Sequence, residues 1–259
     1  CPTNAITFEE REAPAYNEDA VRQAKMKKFG VKVLKGFYLK HESCDKEHQS
    51  CRIDEFKVRK QYYTPCDYTV EGDYSSASYL LAAIAINGGH AKVLNLFKNS
   101  KQGDKVILEI LEKMGADIKI YDDYVEISSD GKLKGIDINL SNAPDLLITV
   151  AVLAAMAEGT TNIPGVKHAR VKETDRIDTT CKQLRKLNCE LEEFEDGMSI
   201  TGGVTGGFVD SCGDHRLAMA FSLIGLKHDI EIINGEVFDV SFPNFIEAMA
   251  EIGLELELV

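Results

Sequence analysis

Pro144-Asp-Leu-Leu-Ile-Thr-Val-Ala-Val-Leu-Ala-Ala-Met-Ala157 reads as one helix, with Pro at its first position, Asp145 in its first turn and Gly159 just past its end. A strand-like Ile136-Asp-Ile-Asn-Leu140 precedes it. A strand Thr160 to Ile163, a helix Lys172 to Leu187 and a strand Glu190-Leu-Glu-Glu-Phe194 follow. The same grammar occurs upstream as Tyr68-Thr-Val-Glu-Gly72, a helix from Ser75 to Ile86, a strand Ala91-Lys-Val-Leu-Asn-Leu96, and a helix Lys105 to Met114 stopped at Gly115. Downstream it recurs as Phe208-Val-Asp-Ser211, a helix Asp214 to Leu226, Ile230-Glu-Ile-Ile233, a helix Phe245 to Ile252 ended by Gly253, and Leu254-Glu-Leu-Glu-Leu258. The equivalent helix starts Ser75, Asp145 and Asp214 are 70 and 69 residues apart. The chain is therefore α/β, built from repeated β-α-β-α-β-β units. One unit cannot bury its helices alone, so three are expected to share a buried helical core with sheets outside, forming one complete domain over residues 67–259.

Residues 1–66 read differently. Ala5-Ile-Thr-Phe8, a helix Asn17 to Lys28 stopped at Gly30, Val31-Lys-Val-Leu34, Phe37-Tyr-Leu39 and Phe56-Lys-Val58 resemble the tail of a fourth unit, the terminal part of another domain. One helix and few apolar residues are too little for an independent core.

With 44% hydrophobic and 28% charged residues, the 259-residue chain has globular composition. Thirty Lys and Arg against 42 Asp and Glu leave a net charge of −12, which repels polyanions and argues against nucleic acid and anionic membranes as partners. No apolar run approaches the roughly 20 residues of a membrane span, so a cytoplasmic location is expected. The seven cysteines are odd in number and lack CxxC spacing, which suggests neither a disulfide framework nor a metal site.

Arg170-Val-Lys-Glu-Thr-Asp-Arg176 is the densest polar cluster. A helix beginning near Lys172 places Lys172 and Arg176 on one face, with Glu173 three residues before Arg176. Such a septet can be a solvated helix start with internal ion pairs. Cations in a first turn nevertheless oppose the helix dipole, and an anion that also takes the backbone N–H groups would explain them. Asp214-His-Arg216 repeats the anomaly: Asp214 suits an N-cap, whereas Arg216 has no such explanation. His215 reads as a packed histidine, and His168, two residues before Arg170, lies within reach of a ligand. Ser75, Ser76 and Asp145 are ordinary cap and first-turn residues singly. Pseudo-threefold packing brings the three helix N-termini together, which would turn these residues into a site.

Val70-Glu-Gly-Asp-Tyr-Ser-Ser-Ala-Ser-Tyr79, Gly103-Asp104, Pro144-Asp145, Arg170-Val-Lys-Glu-Thr-Asp-Arg176, Asp214-His-Arg216 and Ser241-Phe-Pro243, in this order and spacing, resemble the 5-enolpyruvylshikimate-3-phosphate synthase family over residues 13–259. The resemblance implies an inside-out barrel of β-α-β-α-β-β units in two domains, with the site in the cleft between them. It implies transfer of the carboxyvinyl group of phosphoenolpyruvate to the 5-hydroxyl of shikimate 3-phosphate, with no cofactor. By resemblance, Asp145 binds the shikimate hydroxyls and accepts the 5-hydroxyl proton, and Glu173 is the acid/base at the methylene carbon. Lys172 contacts the shikimate phosphate side, Tyr16 lines the shikimate pocket, and Arg176 with Arg216 holds phosphoenolpyruvate; His168 is a candidate substrate contact from its place beside Arg170. Ala13 stands where many members have Ser, His168 where some have Asn, and Val240 where many have Lys.

Full-length members are much longer. Their first half, which carries Lys-Ser and Arg contacts and a Gly-Asn-Ala-Gly-Thr phosphate loop, has no counterpart here. The chain is thus expected to be a C-terminal portion with half a site, inactive without the N-terminal half as partner. Two rivals are a non-catalytic binding or assembly module of the same fold and UDP-N-acetylglucosamine enolpyruvyl transferase, which shares the fold but lacks these two motifs in this form.

Overall fold

A computed structural model describes the strands at residues 6–12 and 52–58, residue 65, residues 67–254 and residues 256–257. Tyr16, Ala13, the expected helix at 17–28 and the expected strands at 31–34 and 37–39 lie outside the described residues. The chain divides into two compact units, residues 1–68 and 69–259. In the first, β1 (Ile6–Glu12) pairs antiparallel with β2 (Arg52–Val58), Ile6 opposite Val58 and Glu12 opposite Arg52.

The second unit is organised by three apolar helices: α1 (Tyr74–Asn87), α3 (Leu147–Ala155) and α5 (His215–Ser222). Every residue of α3 is buried, so this helix has no solvent face, as its uninterrupted apolar run requires. It contacts both α1 and α5, and the 3-10 turn that continues α5 contacts α1. Around this centre are α2 (Ile107–Met114), α4 (Arg176–Lys186) and α6 (Phe245–Glu251).

The strands lie outside. Antiparallel β3 (Gly89–Leu94), β5 (Tyr124–Ser129) and β4 (Asp117–Ile120) form one sheet in that order. A second consists of β6 (Thr160–Ile163), β8 (Gly197–Thr201) and β7 (Glu190–Phe194). Parallel β9 (Gly207–Asp210) and β10 (Ile230–Ile233) make the third. Alternation sets the faces: Val125, Ile127, Met198 and Ile200 turn into the core, while Lys92 lies over the outer ring of Tyr124. Helices inside and sheets outside match the reading of the repeat. Among the described residues the sheets remain separate and do not join into a closed barrel.

Several boundaries differ from the expected ones. The α1 cap is Asp73, whose carboxylate accepts from the N–H groups of Ser75 and Ser76, so the serines are capped rather than capping. Residues 136–140 form no strand. A parallel bridge joins Asp137 to Asn162, but the Ile136 N–H goes to the Thr161 hydroxyl, which breaks the ladder. Residues 68–72 are also irregular, with the Gly72 N–H on the Asn95 carbonyl. Leu254 is buried but outside any strand.

The second helix of the middle unit starts at Arg176, not Lys172. Asp175 caps it by accepting from the Asp178 N–H, and residues 167–171 form a 3-10 turn. Arg170 anchors this arrangement. It donates to Asp175, Glu193 and the carbonyls of Phe194 and Glu195, so its charge is used to hold the loop.

Candidate active site

The segments entering α3, α4 and α5 supply a single cluster of charges. Asp145, in the 3-10 turn that leads into α3, receives Arg176 Nη1 at 2.9 Å, Lys172 Nζ at 3.3 Å and Arg216 Nη2 at 3.4 Å. Arg176 is the hub: its Nη2 lies 2.6 Å from Glu173 and its Nε 2.8 Å from Asp214. Its side chain is 1% exposed, which is tolerable for a guanidinium only because carboxylates take its donors.

Asp214 has two roles. It caps α5 by accepting from the Arg216 N–H, and with no exposure it is the buried counter-ion of Arg176. The Thr174 hydroxyl also donates to it.

Lys172 and Arg176 both reach Asp145, but not from the shared helical face that was expected. Lys172 is in extended backbone, and the chain turns between it and the helix. Glu173 lies three residues before Arg176 and pairs with it, with a half-exposed side chain. The arginines differ in how they are held. Arg176 is locked by three carboxylates, whereas Arg216 has a longer contact to Asp145 and is partly exposed. His168 is exposed in the 3-10 turn next to this loop. His215 is half-buried; burial pushes its imidazole pKa down despite the adjacent Asp214, as expected of a packed, neutral ring.

Two residues join the cluster that motif reading did not single out for a role. The Ser75 hydroxyl donates to Asp104, whose charge also acts on Asp145 and Arg216. One helical turn beyond Ser75, Tyr79 is buried beside Arg216. The repeat holds the signal for Asp104: it follows Ser75 by about the same interval as Asp175 follows Asp145, just ahead of the second helix in both units.

The neighbouring aspartates are driven apart. Burial pushes Asp104 up, and the negative charge of Asp145 adds to this against the opposing Ser75 hydrogen bond. Burial would also raise Asp145, but Arg216, Lys172 and Arg176 outweigh it and hold that carboxyl below the ordinary range. Of the two, Asp104 takes its proton before Asp145 on acidification. Asp145 contributes stability that is present above the ordinary carboxylate pKa and lost as pH falls through its lowered folded value. A carboxyl-carbon NMR titration is expected to show this order; Asp145 titrating before Asp104 would refute the electrostatic account.

The cluster pairs an ionised carboxylate and a half-exposed second carboxylate with three cations, which suits anionic, hydroxylated substrates and proton exchange. Residues 26–249 match the family described as EPSP synthase (3-phosphoshikimate 1-carboxyvinyltransferase). Among curated relatives bearing the name 3-phosphoshikimate 1-carboxyvinyltransferase, that of Methanobrevibacter smithii is 75% identical over 90% of this chain and 53% of its own length. That of Methanothermobacter thermautotrophicus is 55% identical over 78% of this chain and 48% of its own. An EPSP synthase structure from Acinetobacter baumannii superposes with a TM-score of 0.64 at 32% identity, over 73% of this chain and 47% of that one. The chain spans about half the length of the curated relatives it matches. A match through the repeat, the charged septet and the Asp-His-Arg triplet alike means that the chain belongs to the EPSP synthase family.

Proposed function

We propose that this chain contributes the Asp145, Glu173 and Arg216 side of a site that transfers the enolpyruvyl group of phosphoenolpyruvate to the 5-hydroxyl of shikimate 3-phosphate. The supporting observation is the gathering of Lys172, Arg176 and Arg216 on Asp145, from sequence positions up to 71 residues apart. In the reaction, the hydroxyl oxygen bonds to C2 of phosphoenolpyruvate, the hydroxyl loses its proton and C3 gains one. The new methyl group then returns a proton as phosphate leaves, restoring the double bond.

Asp145, kept ionised by its cations, binds the shikimate hydroxyls and takes the 5-hydroxyl proton. Glu173 delivers and recovers the proton at C3, and its half-exposed position beside Arg176 leaves it open to substrate. Lys172 serves the shikimate phosphate. Arg216 binds phosphoenolpyruvate together with Arg176, which exchanges its Glu173 contact for the ligand. His168 is a further substrate contact, and Tyr16, outside the described residues, keeps the shikimate-pocket role that the resemblance implies.

Residues 67–259 act as a complete three-unit domain, and residues 1–66 as the end of the domain that the N-terminal half of a full-length relative would otherwise supply. The location is cytoplasmic; among the described residues no helix is long and apolar enough to cross a membrane. The reading is tested by assaying phosphate release from the two substrates, with this chain alone and with the N-terminal half of the Methanobrevibacter smithii relative added. Turnover is expected in the complemented sample only. Turnover by the chain alone would refute the half-site reading, and none in either sample would favour the non-catalytic module.

A further inference from the structure

We propose that Tyr79 is a positioning residue for Arg216: its phenolic oxygen accepts the guanidinium when a bound anion draws Arg216 away from Asp145. This rests on the reading of Arg216 as an anion-binding residue. Tyr79 is 1% exposed; among the described residues its hydroxyl makes no hydrogen bond of good geometry, although the Arg216 guanidinium is close enough for a poorly aligned hydrogen-bonding contact that bears on the pKa of both groups. A buried hydroxyl without a well-aligned partner is costly, and a neighbouring guanidinium that shifts toward it satisfies it.

Arg216 has reason to make that change. Its contact to Asp145 is 3.4 Å, looser than the 2.9, 2.6 and 2.8 Å contacts that lock Arg176. The tyrosine itself cannot follow: its ring stands edge-on to Phe245, at 5.9 Å and 86°, and Phe245 packs in turn on Phe238 and Phe242. The receiving oxygen is therefore fixed while the arginine moves, so the phenol sets where the guanidinium comes to rest. Burial pushes the hydroxyl pKa up to about 12 even with Arg216 beside it, so it remains a neutral acceptor across the working range of pH.

Tyr79→Phe removes the oxygen and keeps the ring packing. The chain, labelled with nitrogen-15 and mixed with the complementing half, is to be studied by NMR of the Arg216 guanidinium, with the signal assigned through Arg216→Lys. Millimolar phosphoenolpyruvate is expected to slow rotation of the guanidinium in the parent chain and to leave it fast in Tyr79→Phe. In turnover, the KM for phosphoenolpyruvate is expected to rise about tenfold, the scale of one charge-assisted hydrogen bond, with kcat within about twofold and the KM for shikimate 3-phosphate unchanged. Equal slowing in both chains, or no response of the parent signal, overturns the role of Tyr79. Absence of turnover in the mixture strikes the proposed function instead, and the guanidinium signal still decides the position of Arg216.

Discussion

Arg176→Ala is expected to destabilise the 69–259 unit by about 3–5 kcal/mol, the scale measured when one partner of a buried ion pair is removed. The loss does not come from one contact. Asp214 has no exposure and, among the described residues, would be left in the interior with only the Arg216 N–H and the Thr174 hydroxyl as donors. Asp145 and Glu173, partly solvated, would lose a partner but recover water. For a unit of this size the change lowers Tm by roughly 6–20 °C. Lys113→Ala, which breaks the exposed pair with Glu109, is the comparator, with an expected cost within about 0.5 kcal/mol. Calorimetry that finds the two variants equal would show that Arg176 is not the hub of a buried network.

Glu173→Gln is expected to leave the melting transition in place and to reduce turnover of the complemented sample by about 10²–10⁴-fold, the usual worth of a positioned acid/base. The two effects separate because the Glu173 side chain is half-exposed, and glutamine keeps an oxygen that can accept from Arg176 at the 2.6 Å position. What glutamine lacks is the capacity to give and regain a proton. Since the substrate anions are bound by other groups, the KM values should change far less than kcat. Turnover within a few-fold of the parent would remove Glu173 from the chemistry and leave it a structural counter-ion.

The two variants divide residues that stand three apart in one septet, and this division was not legible in the motif. Lys172, Glu173 and Arg176 were expected to share a helical face. They converge instead because Asp175 caps a later helix start and Arg170 pins the loop ahead of it. The cap is local, Asp175 accepting from the Asp178 N–H three residues on, but the Arg170 anchor depends on partners more than twenty residues away, Glu193 to Glu195 on and after β7, which no local pattern encodes. The helix positions were legible for the opposite reason: Gly115 in left-handed backbone after α2 and the unbroken apolar run of α3 are local statements. The missing strand at 136–140 shows the limit of such reading, since its pattern was strand-like and a threonine hydroxyl, distant in sequence, took the N–H its ladder needed.

Residue order alone locates the buried central helices and their stops, because periodicity, caps and stops act over a few residues and recur at a regular spacing. It also puts charged side chains at the head of each central helix. Only the packed chain decides how they are shared: Arg176 sealed among carboxylates, Arg216 loosely held beside a phenol without a well-aligned partner, Asp104 and Asp145 pushed to opposite titration behaviour. Burial and charge act through space, across separations that no stretch of sequence spans, so the division of labour within the site is a property of the tertiary structure.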